Sequence, residues 1–148
     1  KKNTTYSGHL LYREFLPILP RHILHFATSF DFYSSEKIFE NELYRFGGLN
    51  TLRGFNEEQL FASTKAQLTF EYRFLLDESS NLFLFFDQSF YENTATDYYF
   101  DHPFGFGGGI SFGSNIGVFA ITYAIGRELD NPVDFRSSKI HFGYTAYF

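Results

Sequence analysis

The sequence predicts an all-β protein, a transmembrane antiparallel up-and-down β-barrel to which this chain contributes about seven strands. Three observations predict it: an aromatic content of 22% at a mean hydropathy of only -0.21, long segments of alternating apolar and polar residues, and connections that are alternately short and long. A soluble core of this size draws mainly on Leu, Ile, Val and Met. A soluble β-sandwich is the alternative, but it would leave much Phe facing water.

Composition excludes several classes of protein. Twelve Lys and Arg against 17 Asp and Glu give a net charge of -5, which argues against a nucleic-acid binder. There is no Cys, so disulfide scaffolds, thiolate metal sites and cysteine nucleophiles are excluded. The longest segment without Asp, Glu, Lys or Arg, residues 102–126, is too rich in glycine to form a transmembrane helix.

The clearest alternation runs from Phe61 to Leu75. One face carries mainly apolar residues and the other Ser, Lys, Gln, Thr, Glu and Arg, with a period of two over about 13 residues. Strands of soluble sheets are usually about 5–6 residues long, so the length favours a membrane strand. The other six predicted strands are residues 4–15, 22–33, 81–91, 104–112, 116–126 and 139–148.

The connections between these strands differ in length from one side to the other. The short ones are residues 16–20, 76–80 and 113–115, and the long ones are residues 34–60, 92–103 and 128–138. Pro17 and Pro20 cannot donate to a strand ladder and predict a turn in the first short connection. Short periplasmic turns opposite long extracellular loops are typical of outer-membrane barrels. This pattern predicts that the C-terminus lies at the periplasmic side of a bacterial outer membrane.

The longest connection, residues 34–60, exceeds an ordinary hairpin loop and is expected to have a function. Its middle reads Arg45-Phe46-Gly47-Gly48-Leu49-Asn50-Thr51-Leu52-Arg53-Gly54-Phe55. By itself the tripeptide at residues 53–55 is a weak signal that also suits a surface turn with Gly54 at positive φ.

With this loop the chain resembles the BamA/TamA superfamily of outer-membrane assembly factors, the bacterial surface antigen family. That superfamily also includes two-partner secretion transporters and chloroplast import pores. Its members carry the signature Gly-Gly-Leu-x-x-(Val/Leu)-Arg-Gly-(Phe/Tyr) in a long loop, and residues 47–55 match it. The resemblance continues through the strand at residues 70–74, Phe85-Phe86-Asp87, the glycine-rich strands and the aromatic C-terminus.

The resemblance implies a sixteen-stranded barrel, of which residues 1–148 would be the C-terminal portion. It also implies that residues 34–60 form an extracellular loop that folds into the lumen. A bacterial single-chain barrel closes with an even number of strands, and this chain supplies seven. We therefore expect an open part of a larger barrel, with an unpaired edge at residues 4–15.

The family also implies a lock between this loop and the barrel wall, in which the loop arginine pairs with acidic groups of the following strands. Alternation independently turns both carboxylates to the inner face. A guanidinium that grips carboxylates bidentately in a partly enclosed lumen holds more firmly than a surface pair. The alternative is that the two carboxylates only line a wet lumen. The matching positions are Arg53, Gly54, Phe55, Glu71 and Asp87.

Two further features bear on the resemblance. Ser89 stands where the family pattern Phe-x-Asp-x-Gly has glycine. The last strand is similar to the β-signal, polar-x-Gly-x-x-apolar-x-apolar, by which an assembly machine recognises outer-membrane barrels. Such recognition is β-augmentation, in which a free edge strand pairs through its backbone. The matching positions are His141, Gly143, Ala146 and Phe148.

Residues that carry chemistry are scattered along the chain. Of five His, only His22 and His25 are near neighbours, and on a strand they fall on opposite faces, so we expect neither a metal site nor a cofactor. No nucleophile lies in a recognisable motif, so we expect no enzyme. Acidic loop residues would bind divalent ions together with lipopolysaccharide or simply form a solvated rim: Glu92, Asp97, Asp101, Glu128, Asp130 and Asp134.

The function that the resemblance implies is insertion or translocation of client polypeptides through a barrel seam and lumen. The implied partners are outer-membrane lipid and lipopolysaccharide, client outer-membrane or secreted polypeptides and accessory lipoproteins, without nucleic acid. A passive outer-membrane pore or adhesin is one alternative. A barrel that anchors an N-terminal enzyme domain, such as a patatin-like lipase, is another.

Overall fold

The computed structural model of the chain describes residues 4–95 and 97–147. Within these residues the helical elements are two single 3-10 turns, Glu40–Glu42 and Phe135–Ser137, and none is long and apolar enough to cross a membrane. In chain order the strands are β1 (Thr5–Leu19), β2 (His22–Ser35), β3 (Tyr44–Phe46), β4 (Leu60–Ala62), β5 (Thr64–Leu75), β6 (Asn81–Asn93), β7 (Tyr99–Asp101), β8 (Phe104–Ser114), β9 (Gly117–Arg127) and β10 (Lys139–Ala146).

Seven long strands form one antiparallel up-and-down sheet in the order β1-β2-β5-β6-β8-β9-β10. The short β7 extends the sheet beside the end of β6, and β3 and β4 form a separate ribbon. The predicted all-β antiparallel fold is confirmed. Within the described residues β1 pairs only with β2, and β10 only with β9.

The two faces of the sheet have inverted polarity. The face that carries Glu71 and Asp87, here called the inner face, buries several charged residues, and Asp87 is only 1% exposed. The outer face exposes its apolar side chains, with Leu84 at 64% and Phe142 at 74%. Soluble proteins bury apolar side chains and expose charged ones, whereas a barrel strand presents its apolar side to lipid. The alternation in the sequence therefore corresponds to two physically different faces.

The first predicted turn is wrong in its position. Of residues 16–20 only Pro20 belongs to the turn, because β1 continues through Pro17 to Leu19 with an irregular register between them. The chain reverses at Pro20 and Arg21, and Arg21 has a φ of 68°. Proline is tolerated at irregularities of a strand ladder, and the register between β1 and β2 shifts directly after Pro17.

The predicted strand at residues 61–75 is divided in two. Residues 60–62 belong to β4, which pairs with the loop strand β3, and β5 begins at Thr64. Between them Ser63 bridges two long strands, since its N–H donates to the Glu92 carbonyl at 2.8 Å and its carbonyl accepts from Tyr33 N–H at 2.8 Å. Alternation continues across this point because the backbone stays extended while its pairing partner changes.

Candidate functional site

The centre of the long loop is a compact turn that begins with two glycines. Gly47 and Gly48 have φ values of +115° and +94°, which glycine adopts without a steric penalty. The turn is closed by Gly48 N–H donating to the Leu52 carbonyl at 3.0 Å and by Gly47 N–H donating to the Thr51 hydroxyl at 2.8 Å. These contacts orient the next residue, Arg53, towards the sheet.

A small apolar cluster holds this turn against the inner face. The signature residue Leu52 is fully buried, and Phe55 is only 4% exposed. The ring of Phe46 packs edge-on against Tyr91 of β6, with ring centroids 5.1 Å apart. Burial of such side chains contributes about 1.5–3 kcal/mol each. The cluster comprises Phe46, Leu52, Phe55, Leu60, Ala62 and Tyr91.

Arg53 projects from this cluster onto the two inner-face carboxylates. Its Nε donates to Asp87 Oδ2 at 2.7 Å and its Nη2 to Asp87 Oδ1 at 2.8 Å, which is a bidentate pair. Its Nη1 donates to Glu71 Oε2, and its guanidinium lies 3.6 Å from the centroid of the Phe85 ring. The structure thus brings together the arginine and both carboxylates that the sequence singled out.

The charges in this cluster balance one another. Glu71 also accepts from Arg73 Nε at 2.6 Å, so two guanidinium groups face two carboxylates. Burial by itself lowers the pKa of Arg53, but the hydrogen bonds and negative charges of Asp87 and Glu71 raise it above its usual value. The guanidinium therefore stays charged, and its strongest bonds are charge-assisted.

Glycines on β8 and β9 let the loop backbone lie directly on the wall. Gly54 has a φ of +97°, and a Cβ there would lie 2.6 Å from the backbone N of Gly126. A Cβ on Gly126 would in turn lie 2.6 Å from the carbonyl oxygen of Gly54, and one on Gly105 would overlap the carbonyl oxygen of Arg53. Sequence reasoning missed Gly105 and Gly126 as site residues. The signal was available, because alternate residues of the glycine-rich strand, from Gly105 onwards, share the inner face.

The last strand also reaches the loop. Gly54 N–H donates to His141 Nε2 at 3.2 Å, and Leu49 lies beside Gly143. Ala146 is the last residue of β10, whereas Phe148 lies outside the described residues. The assignment of these positions to a β-signal stays a prediction.

The sequence profile of the Omp85 superfamily domain matches residues 3–148. The chain belongs to the Omp85 superfamily. This confirms the resemblance to BamA/TamA-type proteins, and Omp85 proteins are outer-membrane proteins that are generally not enzymes. Membership supports a general role in the assembly or translocation of outer-membrane proteins. A search of curated proteins found no match.

Ser89 departs from the glycine that the related pattern has at this position. It is fully buried on the inner face, its N–H donates to the Pro103 carbonyl at 2.9 Å, and its hydroxyl makes a long 3.4 Å contact with the Ala66 carbonyl. The site therefore accommodates a side chain, and the Arg53 cluster forms without a glycine here.

We expect Ser89→Gly to destabilise this protein by about 0.5–1 kcal/mol, because glycine loses more conformational entropy in a strand interior. Thermal unfolding followed by the gel shift of unheated against heated samples measures this. Ser89→Ala is the matched control, since it removes the same hydroxyl but keeps a Cβ. A glycine variant more stable than the alanine variant would contradict the expectation.

A second buried charge cluster, absent from the sequence-based site, lies nearer the long-loop side of the sheet. Asp31 accepts from Lys65 Nζ at 2.6 Å and lies 2.5 Å from His9 Nδ1. Lys65 also donates to Gln67 Oε1 at 2.9 Å, and its Nζ is 5.6 Å from the centroid of the Phe46 ring. This cluster ties β1, β2 and β5 together beside the loop.

The remaining predicted positions are dispersed. His22 bonds the Tyr72 hydroxyl at 2.6 Å, whereas His25 is paired in register with Glu71, so the two imidazoles lie on opposite faces as predicted. Asp101 is buried and accepts from Leu129 N–H at 2.8 Å, so it is not part of a solvated rim. Within residues 4–95 and 97–147 no group of three His, Asp or Glu could hold a metal ion.

Proposed function

We propose that this protein is an outer-membrane assembly or translocation factor that inserts or translocates client polypeptides through a barrel seam and lumen. The observation that carries the proposal is the match to the Omp85 superfamily over residues 3–148. No covalent bond is made or broken in this activity, and it requires neither a cofactor nor a metal ion. The chain then forms the C-terminal part of a sixteen-stranded barrel.

In this proposal β10 forms one side of the seam. An edge strand presents unpaired N–H and C=O groups, which pair with an incoming extended segment by β-augmentation. Residues 139–148 then serve both as the β-signal of this chain and as a template for client strands. His141, Gly143, Ala146 and Phe148 are the positions that provide the signal.

The loop at residues 34–60 is locked to the barrel wall inside the lumen. Arg53, with Gly54 and Phe55 beside it, binds Glu71 and Asp87, and a bidentate pair out of water gives this contact both strength and a fixed geometry. Holding the loop at this place keeps the barrel wall rigid while the seam opens and closes.

The proposed orientation places the long connections outside the cell and the C-terminus at the periplasmic side. The apolar outer face then contacts outer-membrane lipid, and the loop rim contacts lipopolysaccharide. Client polypeptides approach from the periplasm, where accessory lipoproteins bind the same protein. The acidic balance of 17 Asp and Glu against 12 Lys and Arg disfavours nucleic acid as a partner.

Reconstitution of the full-length protein into lipid vesicles tests the function. We expect a urea-denatured client barrel to fold severalfold faster into these vesicles than into empty ones, because a templated edge lowers the barrier to strand pairing. The appearance of the protease-resistant, gel-shifted client measures the rate. Vesicles with an unrelated barrel at equal protein mass are the control.

Other outcomes identify the alternatives. Ion conductance without any acceleration of client folding or transport would favour a passive pore. Hydrolysis of vesicle phospholipid by the full-length protein, again without acceleration of the client, would favour a barrel that anchors an enzyme domain.

A further inference from the structure

We propose that the loop also holds the last strand in place, with His141 and Gly143 as its docking positions on β10, so that undocking the loop loosens the β10 edge. The importance of this coupling for clients rests on the proposed function. The coupling itself rests on contacts that the two residues make in the folded chain.

The first contact is a hydrogen bond across 87 residues of sequence. Gly54 N–H donates to His141 Nε2 at 3.2 Å. An imidazole accepts at Nε2 only when it is neutral with its proton on Nδ1, so this bond selects one form of the ring. His141 shares the inner face with Thr122, its partner in the register. A side chain without an acceptor would leave the part-buried Gly54 N–H unpaired, which is unfavourable.

The second contact is a fit between a leucine and a missing side chain. A Cβ on Gly143 would lie 2.9 Å from Leu49 Cδ2 and 3.7 Å from the Ala120 Cβ. Leu49 therefore packs against the backbone of Gly143, in space that a larger side chain would occupy. Leu49 is itself positioned by its N–H, which donates to Glu57 Oε1 at 2.8 Å.

Together these contacts complete a strap across the inner face. The Arg53 side chain holds β5 and β6 through Glu71 and Asp87, and the loop backbone lies on β8 and β9 at Gly105 and Gly126. The same turn then reaches β10, so one segment spans five neighbouring strands.

The strap matters most for β10 because that strand has few other ties. Within the described residues β10 pairs only with β9, and its outer-face side chains, such as Phe142, are exposed. Its other contacts, such as the packing of Tyr144 on Phe119 and the bond from the Tyr144 hydroxyl to the Ile116 carbonyl, are again with β9 or the residue before it. Within the described residues the loop therefore provides an attachment to a different part of the fold. Separating β10 from the sheet must either break these contacts or follow release of the loop.

Hydrogen exchange of the full-length protein in lipid nanodiscs tests the coupling without any client. We expect His141→Phe, which keeps a ring but removes the acceptor, to speed exchange of the amides at residues 139–146 by about tenfold. His141→Gln retains an acceptor at a similar reach and should restore much of the protection. Leu49→Ala changes only the loop and should speed exchange in β10 as well. Thr145→Ala lies on the inner face of β10 opposite Val118 and is the control.

Arg53→Ala provides the reciprocal test, because the Arg53 side chain bonds β5 and β6 and not β10. Faster exchange in β10 of this variant supports the coupling. Unchanged exchange in β10 when the loop has become protease-sensitive would overturn the coupling. So would equal exchange rates in His141→Gln and His141→Phe. An increase in Thr145→Ala as large as that in His141→Phe would overturn it as well. A client assay that fails while these results hold would count against the proposed function alone.

Discussion

Replacing Arg53 with Ala should destabilise the folded protein by about 3–5 kcal/mol, because two buried carboxylates lose their main partner. Asp87 would keep no other cation among the described ion pairs, and Glu71 would keep Arg73. Arg53→Lys should recover only part of the loss, since an ammonium group cannot bind a carboxylate with the bidentate geometry of a guanidinium. Heat-induced gel shift measures the stability, and proteinase K cleavage of residues 36–59 measures release of the loop.

Arg45→Ala is the matched control for this experiment. Arg45 lies in the same loop and pairs with Glu58 at 3.7 Å, but the side chains are 52% and 67% exposed. Exposed pairs contribute about 0–1 kcal/mol, so this variant should behave almost as the wild type. If Arg53→Ala lowered stability and loop protection no more than Arg45→Ala, Arg53 would not lock the loop to the barrel wall.

Gly105→Ala should release the loop even though it leaves every charge of the site in place. Its new methyl group would overlap the carbonyl oxygen of Arg53, and a backbone atom cannot rotate away as a side chain can. Overpacking of this kind destabilises by about 1–3 kcal/mol. We expect rapid cleavage of the loop by proteinase K and a lower temperature for the gel shift.

Gly8→Ala provides the comparison for Gly105→Ala. The three atoms nearest to a methyl group there all belong to the ring of Phe32, a side chain that can move, and Gly8 lies on the outer face of the sheet, opposite to the Arg53 site. It should leave the loop protected. If the loop of Gly105→Ala stayed protected from proteinase K, β8 could shift to accommodate the methyl group. Close backbone contact would then not be needed for docking of the loop.

A double variant tests whether Arg53→Ala and Gly105→Ala both act by releasing the loop from the wall. Arg53→Ala and Gly105→Ala both undock the same segment, so their effects should not add. We expect the double variant to be nearly as stable as Arg53→Ala alone. Full additivity would mean that the side-chain lock and the backbone seat act independently.

Much of the sheet could be predicted because its signals are local. The side-chain period of two assigns both faces, and it places Glu71 and Asp87 together on the inner face. Strand boundaries were predicted wrongly where the backbone stays extended past a residue that suggests a turn or past a change of pairing partner. Pro17 remains within a strand because the register with β2 shifts directly after it, and Ser63 separates β4 from β5 without breaking the alternation.

Local patterns in the sequence account for the up-and-down strands, the polarity of their faces and the residues that match the signature of the long loop. The contacts of this loop follow only from the folded sheet: Gly105 and Gly126 lie beneath its backbone, and His141 and Gly143 meet it on β10. The same holds for the separate Asp31 and Lys65 cluster. Sequence separation explains the difference. Alternation is read between neighbours in the chain, whereas the Arg53 to Asp87 and Gly54 to His141 bonds join residues 34 and 87 positions apart, and such contacts depend on how the whole sheet brings distant strands together.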